Sequence, residues 1–156
     1  VKDREESQNY DCILKRGVSV LVLDSRVEIR PDYIKSFKYT ITGNCGNVFN
    51  PSTGHCLEKT TLTKTYDISG DRYKGKRFMF SSYFFLGEDN VTDITLATQS
   101  IDTDDKEAKK LSFENVHMVK GKMTTYKGPF LSTHSAASFI IDSPTIPNSG
   151  FDTEFE

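Results

Sequence analysis

Apolar residues recur at every second position along most of this chain, a period that suits strands and leaves little room for amphipathic helices. Phe37, Tyr39 and Ile41 alternate with Ser36, Lys38 and Thr40, which predicts a strand with one buried face. Val18, Val20 and Val22 interleave with Leu21 and Leu23, so that strand is apolar on both faces and is expected at the centre of a sheet. Val27 and Ile29 alternate with Glu28 and Arg30 until Pro31 ends the run. Leu62, Tyr66 and Ile68 share a face opposite Thr61, Thr63 and Thr65, and threonine at that density favours extended backbone. Phe78-Met79-Phe80 and Tyr83-Phe84-Phe85-Leu86 form the most aromatic strand, expected to be buried on both faces. Thr92, Ile94, Leu96 and Thr98 continue the alternation. Over 111–118 the apolar set switches from Leu111 and Phe113 to Val116 and Met118, as a β-bulge near Asn115 would make it do. Segments 123–126 and 136–141 complete the strands, and only 102–110 offers a short helix.

Strands spaced roughly eight to twelve residues apart and joined by Gly-bearing turns predict an all-β fold. The expected form is a single antiparallel β-sandwich of about 8–9 strands with at most one short helix. Residues 1–9 read as a loose arm, 10–142 as the β-sandwich domain and 143–156 as an acidic, Pro-containing tail. A chain of 156 residues suits one domain, and folding should bury about 70% of its unfolded surface. With 36% hydrophobic and 27% charged residues, eleven Phe and no Trp, the composition is globular rather than disordered.

A formal charge of −2 argues against duplex nucleic acid as a partner, and no apolar run approaches the roughly 20 residues of a helical membrane span. Starting at Val1 rather than Met, the chain reads as a processed product or a piece with its beginning removed, so the lack of a secretory signal is uninformative. Cys45 and Cys56 enclose a loop rich in Gly, Asn, Pro and Ser, which has little apolar reason to stay ordered. A Cys45–Cys56 disulfide across such a loop contributes roughly 3 kcal/mol. Cys12, in the apolar run Cys12-Ile13-Leu14, is expected as a buried free thiol. Asn90-Val91-Thr92 is an N-glycosylation sequon in a turn-forming stretch. Together these features place the chain outside the cell, secreted or extracellular.

No constellation announces catalysis or a cofactor. There is no Gly-x-Ser-x-Gly elbow, and Ser132 to Ser135 put serine beside His134 without a triad. Cys12, Cys45, His55 and Cys56 lack zinc spacing. The acidic groups Glu88, Asp89, Asp93 and Asp102, Asp104, Asp105 bracket one strand, so about 30 Å separates them and they cannot share a calcium ion. No catalytic or metal residue is therefore assigned. The basic residues are better organised: Arg72, Lys74 and Lys76 alternate, with Tyr73 and Arg77 beside them. They form the candidate binding patch, for an acidic protein or an anionic glycan, against the plainer reading of a solvated hairpin turn. The expected function is a secreted, non-enzymatic recognition domain that binds an extracellular protein. A secreted β-sandwich hydrolase acting on glycans and a module of a larger surface assembly are the alternatives.

Overall fold

The computed structural model describes residues 16–28, 33–131 and 139–145. Its strands are β1 (Val18–Glu28), β2 (Ile34–Gly43), β3 (Cys45–Gly46), β4 (Phe49–Asn50), β5 (His55–Cys56), β6 (Leu62–Asp67), β7 (Arg77–Leu86), β8 (Val91–Asp102), β9 (Glu107–Val119), β10 (Met123–Lys127) and β11 (Ile140–Thr145). One 3-10 turn, Asp71–Tyr73, is the helical element among the described residues. The fold is all-β, as the alternation predicts. A first sheet has the order β11-β10-β1-β7-β3 and a second β6-β2-β8-β9, while β4 and β5 form a small hairpin. All strand pairs are antiparallel except β1 with β10, which run parallel. The expected purely antiparallel arrangement is therefore corrected at one position.

β1 lies at the centre of the first sheet, where its two apolar faces require it to be. Leu21 and Leu23 enter the core, and Val20 and Val22 are buried on the opposite face. Ser19 is fully buried on the core side, a cost that its hydroxyl offsets by donating to the Val119 carbonyl (3.2 Å) and accepting from the Gly121 N–H (3.3 Å). In the second sheet, Phe37, Tyr39 and Ile41 of β2 turn inward as their period dictates. The bulge on β9 is present: Ile94 faces Val116 but Leu96 faces Phe113, so β9 spends one extra residue there. Asn115 takes a φ of 56°, a conformation that Asn tolerates better than most residues. That residue re-aims β9, bringing Val116 and Met118 into the core.

Rings join the two sheets. Phe37 of β2 meets Phe80 of β7 with centroids 4.3 Å apart, Tyr66 of β6 meets the same ring at 4.9 Å, and Phe113 of β9 meets Tyr126 of β10 at 5.3 Å. Phe130 and Phe139 extend the cluster. Gly128 is required here, because a Cβ at that position would stand 2.1 Å from the Phe139 ring.

Three local expectations change. Segment 102–110 is a β-hairpin, not a helix, because the ladder between β8 and β9 persists to Ile101 opposite Glu107. The Asp102 carboxylate closes that turn by accepting the N–H groups of Asp104 and Lys106, each at 2.9 Å. β11 runs to Thr145, so residues 143–145 belong to the first sheet rather than to a tail. Finally, β7 is buried on one face only: Phe80, Phe84 and Leu86 are inside, but Met79 and Tyr83 are 61% and 67% exposed. The arm at 1–9, Cys12 and the tail beyond Thr145 lie outside the described residues.

Phe80 is 1% exposed and touches rings from two strands of the opposite sheet. Phe80→Ala should cost about 3–5 kcal/mol, visible as a large drop in the urea midpoint. A loss below about 1 kcal/mol would show that the two sheets are not joined through this ring.

Candidate functional site

Residues directly opposite each other in a ladder share a face, so the register assigns each sheet its outer surface. The outer face of the second sheet is polar. Ser36, Lys38 and Thr40 of β2 stand beside Asp67, Thr65 and Thr63 of β6 on one side and Ile101, Gln99 and Ala97 of β8 on the other. Thr40 and Thr63 exchange a hydroxyl hydrogen bond at 3.2 Å. This is an ordinary solvated sheet face.

The first sheet is different. Its outer rows run Met123–Val20–Tyr83 and Thr125–Val22–Ser81 across β10, β1 and β7. Val18 opposite Phe85 adds a further row, and the Phe49 ring of the small hairpin lies 5.0 Å from Phe85. Val20 and Val22 are only 5% and 7% exposed, while Met79 and Tyr83 project from the same surface. An apolar floor therefore carries apolar side chains that stand in water, which a monomer does not need for folding.

Polar pairs close this face at one end. Asp24, on the same side of β1, is buried, and its carboxylate accepts from both Nε (2.9 Å) and Nη2 of Arg77. The Asp24 carboxylate beside it raises the Arg77 pKa. Lys127 and Asp142 form a second ion pair between β10 and β11.

The basic patch is thus taken apart. Arg77 serves Asp24. Arg72 lies over the Tyr73 ring at 4.5 Å, and Tyr73 packs against the core. The 3-10 turn also breaks the extended alternation on which the patch was predicted, so Arg72, Lys74 and Lys76 do not share a strand face. Lys74 and Lys76 remain as exposed cations in the turn.

The other sequence-marked residues fall around this sheet. Cys45 is buried on β3 and Cys56 is half-buried on β5, both as free thiols, so the expected Cys45–Cys56 disulfide is not formed in this structure. Burial pushes the Cys45 thiol up to about 11, with the nearby Cys56 adding to the effect. A Cβ on Gly46 would lie 3.2 Å from the Cys56 Cβ, so Cys56 packs against the residue that follows Cys45 rather than against Cys45 itself. Asn90 is exposed in the turn between β7 and β8. His117 and Asp93 pair at 3.1 Å on the surface of the second sheet. Among the described residues, no three His, Cys, Asp or Glu side chains gather as a metal-binding group.

The apolar face was not recognised in the sequence. Both alternating sets in β7 hold a serine: Phe80, Ser82, Phe84 and Leu86 on one, Met79, Ser81, Tyr83 and Phe85 on the other. The sign that separates them is the Tyr83 hydroxyl, which is compatible with solvent.

Replacing Lys74 and Lys76 with Ser should leave the melting temperature unchanged, because their charges are solvated. Arg77→Ser should lower it clearly, because it leaves the Asp24 carboxylate buried without its guanidinium. Equal melting temperatures for both variants in a thermal scan would show that Arg77 is a surface cation like the others.

No protein-family model, no curated protein and no solved structure matches this chain, so the chemistry of the apolar face must itself carry the functional assignment.

Proposed function

We propose that this chain is a secreted, non-enzymatic recognition domain that binds an extracellular protein through the outer face of its first sheet. The observation that carries the proposal is the contrast between the two outer faces. One is threonine-rich and polar; the other exposes Met79 and Tyr83 over a valine floor. Flexible Met and amphipathic Tyr suit a protein contact, since each buries a large apolar area when water is displaced. The polar pairs Asp24–Arg77 and Lys127–Asp142 give that face a charged border. Lys74 and Lys76 are what remains for an anionic glycan.

Export is supported by an exposed Asn90 within its sequon. Passage through a eukaryotic secretory pathway should yield a protein whose mass falls on enzymatic deglycosylation. Secreted material with an unmodified Asn90 would remove this support.

The binding proposal is tested with immobilised domain and a Met79→Ser/Tyr83→Ser double variant, each exposed to extracellular fluids and read by quantitative mass spectrometry. At least one protein should be captured by the native face and lost with the variant, while Thr40→Lys on the opposite sheet retains it. Identical capture by all three forms would defeat the assignment of this face.

A further inference from the structure

Each lateral edge of a sheet offers unpaired N–H and C=O groups, and folded proteins blunt such edges to prevent accidental pairing. Three of the four edges here are blunted. β6 carries Lys64, which stands opposite Tyr39 and hence on the core-facing side of an edge strand, its ammonium over the Tyr66 ring at 5.0 Å. β9 carries Lys109 opposite the buried Ser100, with its Nζ buried and without a hydrogen-bond partner. β11 carries Pro144, which has no N–H to offer, and its ladder with β10 is irregular between Met123 and Thr125.

Among the described residues, the fourth edge is covered at one end only, by β3 and the β4–β5 hairpin that follows it. On its outer side β7 pairs with Cys45 and Gly46 alone among the described residues, at Leu86 and Phe85. The Gly87 N–H donates to the Asn44 carbonyl at 2.8 Å. By the alternation of an antiparallel ladder, the N–H and C=O of Tyr83, Ser81 and Met79 point the same way, away from β1. The Tyr39 hydroxyl touches the Ser81 carbonyl at 3.3 Å from below, which agrees with that direction. No charged side chain occurs from Phe78 to Leu86, and Arg77 is held by Asp24.

We propose that this edge pairs with the same edge of a second copy of the chain, joining two five-stranded sheets into one across a two-fold axis at Ser81. The edge dictates the occupant. The free stretch is closed at one end by Gly46 at Phe85 and at the other by the start of the strand at Arg77. Its midpoint is Ser81, and antiparallel pairing centred there runs from Phe78 to Phe84, stopping short of Phe85, where Gly46 already pairs. Ser81 faces its own counterpart and Met79 faces Tyr83 of the second copy, an apolar and uncharged match in which no like charges oppose. The pairing also sets the two apolar outer faces side by side. It goes beyond the recognition role, since it needs no other partner.

The test is sedimentation equilibrium of the full chain across a concentration series. The native chain should reach twice its 17.6 kDa mass. Ser81→Pro removes the N–H at the axis, which serves no bond to β1, and should raise the dimer dissociation constant at least about tenfold at unchanged circular dichroism. Ser81→Lys places like charges opposite each other and should do the same if the proline variant folds poorly. A chain that stays monomeric at high concentration, or a dimer that both variants leave intact, overturns the proposal. Because mass is read without any other protein, that failure is separate from a loss of partner capture at Met79 and Tyr83.

Discussion

The two sheets are held in register by a line of rings, and most of what the molecule presents to solvent follows from it. Tyr39, Tyr66, Phe80, Phe37, Phe130 and Phe113 succeed one another through the core, each within 6.3 Å of the next. A chain with eleven Phe and no Trp builds its interior from flat rings of one size, packed tilted or edge-on. Because these rings take one alternating set of each strand, the other set must face outward. On β2 that leftover set is Ser, Lys and Thr; on β7 it is Met, Ser, Tyr and Phe. The difference between the two outer faces is therefore a by-product of which strands donate rings to the interior.

Strand positions were largely legible because a period of two survives any detail of packing. β1 declared its central place through two apolar faces, and the phase change between Phe113 and Val116 located a bulge that the register and Asn115 then displayed. What the sequence concealed depends on neighbours. The hairpin at 102–110 looked helical because its charges lack a period; only pairing with β8 decides it. The exposure of Met79 and Tyr83 is a fact about how the layers stack, which no window of sequence contains. Arg77 seemed one of four equivalent cations until Asp24, 53 positions away, was seen to hold it.

Edge protection has a thermodynamic cost that is visible at one residue. Lys109 keeps its ammonium buried without a hydrogen-bond partner, and burial lowers its pKa. A hydrocarbon side chain there would pack better and leave β9 open to other strands. The lysine trades stability for solubility on an edge where pairing has no use. Lys64 makes a milder version of the same trade, since its ammonium still reaches solvent and a ring.

The place of β1 has a further consequence during synthesis. It is the first of the described strands to leave the ribosome, yet its neighbours β7 and β10 begin at Arg77 and Met123, long after Val18. The parallel partner, β10, precedes only the last described strand. The most aliphatic strand must therefore wait with both sides bare, and its pairing cannot be completed locally, which predicts slow folding for a chain of this size. Holdase chaperones, which favour apolar extended segments, would find their best target in 18–23 while translation continues.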